Sequence, residues 1–309
     1  MESSDAHATV ESFPSLYRPS CEKVWRGNFA EDFLLHHASS VVVVVSFCKG
    51  ELNTLFGDLR GISIQEVFVY SKCGDHDTPA HFLERFEGVP KDRRTVVSLP
   101  NVGRVDHNVA HYIVNYSSSL ADGDVVLFLE DNYHVIHQHN LESITLPEML
   151  NLAAGDLGFA CRLIPRLDSQ FSAWHETAKL HNFQMDSYNS GATLYAQSDT
   201  QKFSRGETLG QWLESVQIKL PTPLTPVCYG GNFAARAANL HAAIDAANRM
   251  EQSLRRGDNI VESHFAERTW AGLLMSDIPD SLQIALMSMR TESSFDSRDM
   301  PGMLVGCAK

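Results

Sequence analysis

Cysteine pairs at metal or redox spacing are missing from this sequence: Cys21, Cys48, Cys73, Cys161, Cys228 and Cys307 are scattered, with no CxxC among them. Zinc ribbons and thioredoxin-type redox sites therefore lack the spacing they need. Cys48 and Cys161 sit in apolar stretches and read most simply as buried thiols, so a secreted disulfide framework is not expected. Long apolar runs are missing too. The longest, Val41 to Val45, falls far short of the ~20 residues that cross a bilayer. The first residues include Glu2 and Asp5 and show no basic region followed by an apolar stretch. Neither a signal peptide nor a membrane span is expected, and the expected location is cytoplasmic. Basic residues are the minority, 25 Lys and Arg against 38 Asp and Glu, for a net charge of −13. A surface so acidic repels phosphate backbones and argues against a general nucleic-acid binder. It still leaves room for a pocket in which a few Arg, Lys or backbone N–H groups hold one diphosphate.

What is present fits a globular α/β chain. Hydrophobic residues make up 43% of 309, enough for one sizeable core. Residues 1–38 mix Ser, Pro and charge without periodicity and read as an N-terminal arm; residues 291–309 read as a tail. Between them, 39–290 reads as one α/β domain with no linker or internal repeat. Ser40 to Ser46 is a β-branched run of the kind buried on both faces of a parallel sheet. Further strands are expected at Gln65 to Tyr70, Thr95 to Leu99 and Asp124 to Glu130. Val105, Val109, Tyr112, Ile113 and Tyr116 mark a helix before the last of these. Strand, helix and strand at this rhythm imply βαβ units and a mainly parallel central sheet flanked by helices.

The second half is less regular. Leu157 to Leu163 and Ala192 to Ala196 suggest strands, Leu209 to Val216 a helix, and the Ala-rich stretch Ala234 to Arg255 a longer helix. Asn259 to Glu262 matches a capping box opening a last helix that runs to about Leu274.

Open α/β sheets bind ligands outside the carboxyl ends of their strands, so the residues following each strand are the candidates. Lys72 follows the second strand. Asn101, Gly103 and Arg104 open the helix after the third, and read either as an anion-binding helix start or as a tight turn with a solvated Arg. Glu130 and Asp131 end the fourth strand and could hold Mn²⁺ or Mg²⁺, hard cations that prefer oxygen ligands. His107 and His111 have the i, i+4 spacing of a zincin helix, but Asn108 stands where its general-base Glu belongs, so their stripe reads as a site wall or a solvated face. His134, His137 and His139 form either a metal-binding or a hydrated loop. Late in the chain, Glu262, His264, Glu267 and Arg268 share one helical stretch. Glu267 beside His264 suits a general base, with Glu262 as the other candidate; the bland readings are a cap for Glu262 and an ion pair for Glu267–Arg268.

The order of these segments resembles a glycosyltransferase-like (GT-A-like) family long catalogued as a domain of unknown function. The Val-rich strand followed by Glu51-Leu52-Asn53-Thr54-Leu55, the segment Tyr70-Ser71-Lys72, the block Pro100 to Arg104 with His111-Tyr112-Ile113 and Asn115-Tyr116, the segment Asn232 to Arg236, and Glu262 to Trp270 carry the likeness. It spans roughly Val41 to Leu274. The resemblance implies a nucleotide-sugar-binding scaffold, with a nucleotide-sugar donor and a small-molecule or glycan acceptor. It departs from the pattern at Val105, where the family carries an acid directly after the Arg; here the acid, Asp106, comes one place later. A tailoring enzyme with His-based chemistry on the same scaffold, or a non-catalytic binding protein, are the alternatives.

Overall fold

In the computed structural model, which describes residues 40–50, 52–131, 145–155, 158–161, 174–185, 207–257 and 260–275, the Val-rich run lies near the centre of a six-stranded sheet. In chain order the strands are β1 (Val41–Phe47), β2 (Ile64–Ser71), β3 (Arg94–Ser98), β4 (Val125–Glu130), β5 (Phe159–Cys161), β6 (Trp174–Glu176), β7 (Leu224–Pro226) and β8 (Phe233–Arg236). The large sheet has the order β3-β2-β1-β4-β8-β5, and β6 pairs separately with β7. β3, β2, β1 and β4 are parallel neighbours, as expected; β8 runs antiparallel between β4 and β5.

The helices are α1 (Leu52–Asp58), α2 (Asp77–Glu84), α3 (Arg104–Asn115), α4 (Leu146–Ala154), α5 (Thr177–His181), α6 (Leu209–Ser215), α7 (Ala237–Ala242), α8 (Ile244–Leu254), α9 (Val261–Glu267) and α10 (Trp270–Leu274). They cover both faces of the sheet. Val42 and Val44 of β1 face a core built with Tyr112 and Ile113 of α3, Trp212 of α6 and Phe265 of α9. Val41, Val43 and Val45 face the other core, with Leu55 of α1, Phe82 of α2 and Met149 of α4. Burial on both sides is why this strand reads as an unbroken apolar run rather than an alternating one.

Several expectations change. The Ala-rich stretch is not one helix: Ala234 and Ala235 are strand residues, and helices follow only from Ala237. Helix propensity loses here because the segment is hydrogen-bonded on both sides, with Leu127 facing Ala234 across β4 and Ala160 facing it across β5. The last helix breaks at Arg268 and Thr269 into α9 and α10. α9 opens at Ile260 with no side-chain cap. Glu262 is therefore no capping-box member: its carboxylate is buried and pairs with Arg256. Asn259, the strand expected at Ala192 to Ala196, the His134 to His139 loop, the arm and the tail lie outside the described residues.

The cysteines depart most from the sequence reading. Instead of buried thiols, Cys48 pairs with Cys73 and Cys161 with Cys228, with Cα–Cα separations of 4.9 and 5.7 Å. Both spans suit a disulfide. Among the described residues no helix is long and apolar enough to cross a membrane.

Candidate active site at the switch point

From β1 the chain adds β2 and β3 on one side, then returns to lay β4 on the other, so the strand order reverses between β1 and β4. Such a reversal opens a crevice at the carboxyl ends of the strands. β8, running the other way, brings its leading residues to the same end, where Phe233 faces Phe128 of β4. Four stretches of chain thus meet: the start of α3, the end of β4, the turn Tyr229 to Asn232, and α9.

Arg104 and Glu130 meet here as the sequence suggests. Arg104 begins α3 with φ +49°, directly after Gly103 at φ +58°. A non-glycine residue in this region is strained, and such outliers gather at functional sites. Its Nη1 lies 3.1 Å from His264 Nδ1. A guanidinium only donates, so Nδ1 is the acceptor and the His264 proton sits on Nε2. Burial, with the charges of Arg104 and Arg268, holds His264 far below the usual histidine range. His264 therefore steadies Arg104 rather than serving Glu267.

Three carboxyl groups complete the cluster. Asp106, which the sequence reading passed over as a departure from the family pattern, is 2% exposed and accepts from Trp270 Nε1 at 2.9 Å. Burial and the Glu267 charge push it up to about 7 against the pull of Arg104. Glu130 is pushed up to about 8 by burial, with Glu267, Asp106 and Asp131 adding to the effect and Arg104 opposing it. Glu267 is 14% exposed; its Oε1 accepts the Gly230 N–H at 2.8 Å and its Oε2 lies 3.3 Å from Arg268 Nη1. Arg268 also donates to the His264 carbonyl and lies over the Phe183 and Tyr229 rings. Gly231 lets the walls close: a Cβ there would stand 2.6 Å from Val105 Cγ2 and 2.9 Å from Glu130 Oε1.

Other expected roles are taken up internally. Asp131 Oδ2 accepts from the backbone N–H groups of Cys48, Lys49 and Gly50 at 2.8, 3.1 and 2.7 Å. That carboxylate fills the anion nest after β1 and is not free beside Glu130 to hold a cation. Among the described residues no group of three or more His, Cys, Asp or Glu is placed to hold a metal ion. With Asp131 Oδ2 held in this way, no step below passes through the expected Mn²⁺ or Mg²⁺. Lys72 is buried and donates to the carbonyls of Val102 and Arg104. The Gly103 N–H is bound to the Gly257 carbonyl at 2.7 Å. Asn101 is exposed on the same turn. Of the groups expected to grip phosphate, Arg104 alone projects a charged side chain into the carboxyl cluster. His107 and Asn108 are no site wall: both are buried where α3 packs on α8, His107 lying 3.8 Å from Glu251.

No protein-family model and no curated protein matches the chain.

The raised acids predict a pH dependence of folding. Glu130 and Asp106 ionise near 4.5 and 3.8 unfolded but near 8 and 7 folded, so the native state holds protons that the unfolded state has released. Stability then falls as pH rises through that window. The depressed His264 and His107 act oppositely, but only below their ordinary 6.5. Between about pH 6.5 and 8 the acids act alone. Urea melts are expected to give declining stability over that interval, with a flatter slope in Glu130→Gln; an equal slope in both proteins rejects the assignment.

Proposed function

We propose that the chain is a glycosyltransferase-type enzyme that moves a sugar from a nucleotide-sugar donor to a hydroxyl of a small-molecule or glycan acceptor. The observation that carries this reading is the convergence of Arg104, Glu130, His264 and Glu267 at the switch point of a mainly parallel sheet. Glu267, partly exposed beside Arg268, takes the acceptor hydroxyl proton. Arg104, oriented by His264, stabilises the charge growing on the departing diphosphate. Catalysis is then positioning, one proton abstraction and one charge contact.

A non-catalytic binding protein is the second reading. It is favoured by the backbone amides that already hold the carboxylates of Asp131 and Glu267, the places where a phosphate would otherwise sit. The His-based alternative draws no support from His107, which is buried where α3 packs on α8. A thermal-shift panel separates them. Stabilisation by UDP or GDP supports the transferase; stabilisation by Mn²⁺ alone favours other chemistry, and no response favours the binder.

Arg104 gives a second check. Arg104→Ala is expected to weaken binding of the responding nucleotide by about 1.5 to 3 kcal/mol, the worth of a charge-assisted hydrogen bond. Arg104→Gly is expected to lose as much binding yet fold more stably than the Ala variant by about 1 kcal/mol, because glycine tolerates φ +49°. Calorimetry and urea melts read the two effects apart; unchanged affinity in both folded variants removes Arg104 from the site.

A further inference from the structure

Both disulfides lie at the crevice end of the sheet, and solvent reaches them unequally. Cys161 and Cys228 are buried, whereas Cys48 and Cys73 are both partly exposed just past β1 and β2. Cys48–Cys73 stands where strand pairing runs out. Phe47 faces Ser71 in the last register pair, the Lys72 N–H reaches the Phe47 carbonyl at 3.1 Å, and the disulfide is the next link outward. Its two halves adjoin two anchors of the crevice. Cys48 supplies the first of the three amides that hold Asp131. Cys73 follows Lys72, whose ammonium holds the carbonyls of Val102 and Arg104 and so fixes the strained start of α3.

We propose that Cys48–Cys73 is a redox latch on the crevice. Closed, it holds the turn after β1 and the Lys72 anchor in place. Opened, it loosens both while Cys161–Cys228 stays intact. The opening step is thiol–disulfide exchange with a dithiol. A thiolate attacks one sulfur, the S–S electron pair leaves on the other, which takes up a proton, and the second thiol of the dithiol resolves the mixed disulfide. The protein gains two electrons and two protons, and the dithiol leaves as a disulfide. Access selects the bond, since the attacking thiolate must reach sulfur. An oxidising compartment keeps the latch closed and a reducing one opens it, so the competent form belongs outside the reducing cytosol, against the cytoplasmic expectation. The latch holds or fails independently of the transferase reading, because its test needs neither donor nor acceptor.

The test is a dithiothreitol titration of the full chain under native conditions, followed by alkylation, peptide mapping and amide hydrogen exchange. Cys48 and Cys73 are expected to be alkylated at a reductant concentration at least about ten-fold below that which exposes Cys161 and Cys228. In the same interval, protection of the amides of residues 48–50 is expected to fall about ten-fold or more while that of β5 holds. The double variant Cys48→Ser, Cys73→Ser is expected to show the loosened pattern without reductant. Simultaneous reduction of the two bridges, or unchanged protection at 48–50 once Cys48–Cys73 is open, overturns the latch. Should the double variant not fold, the order of reduction and the exchange at 48–50 in the unaltered protein decide alone.

Discussion

Glu267→Gln is expected to lower nucleoside-diphosphate release from the responding sugar nucleotide by about 10²- to 10⁴-fold, the loss that follows removal of a general base. The substitution is a narrow one. The amide oxygen of Gln can still accept the Gly230 N–H, and the side chain keeps its length at the end of α9. What disappears is the negative charge that takes a proton and faces Arg268. Folding is expected to weaken as well, because Arg268 is 2% and Glu267 14% exposed and removing the charge from one partner of so buried a pair costs up to about 3–5 kcal/mol. Activity and melting must be measured on the same preparation. A variant that turns over normally but melts early makes Glu267 a structural partner of Arg268 and removes the proposed base.

Gly231→Ala is expected to cost about 2 to 5 kcal/mol of stability. Two penalties combine there. The residue sits at φ +63°, where an L side chain costs about 1–2 kcal/mol. Its Cβ would also overlap Val105 Cγ2 and crowd Glu130 Oε1, and forcing extra volume into a packed site costs about 1–3 kcal/mol. The short Val105 side chain has no flexible end to swing aside, so the turn itself must move, carrying the Gly230 N–H off Glu267. Gly57→Ala is the internal control. Gly57 lies in α1 with open space around the new Cβ, and the substitution should stabilise by about 0.4–1 kcal/mol. Urea denaturation of both variants reads the contrast; a Gly231→Ala protein within about 0.5 kcal/mol of the parent means that the turn does not clamp the cluster.

The recurring theme of the crevice is that backbone donors are met by the protein's own acids. Asp131 fills the nest after β1, and Glu267 takes the Gly230 amide. An acidic chain with a net charge of −13 can close a phosphate-like site with its own carboxylates. A diphosphate entering there competes with them, and Arg104 is the group left to favour it. This places the largest demand of the transferase reading on one guanidinium, and the Arg104 variants test it directly.

The class of the fold was written in local sequence. Five consecutive valines can hardly be anything but a strand buried on both faces, and the spacing of Val105, Val109, Tyr112 and Tyr116 already describes α3. Parallel strands with helices between them followed, and with them the end of the sheet at which Arg104 and Glu130 meet. The rest depended on partners far along the chain, to which a local pattern is blind. Ala234 and Ala235 look helical until β4 and β5 pair with them on either side. Cys48 and Cys161 look like thiols until folding brings in cysteines 25 and 67 positions away. Asp131 looks like a cation ligand until the turn 81 to 83 residues earlier delivers three N–H groups to it. Sequence sets which residues can do chemistry and where the strands end; a hydrogen bond uses up a donor or acceptor, and only the tertiary structure decides which of those residues have already spent theirs on the protein itself.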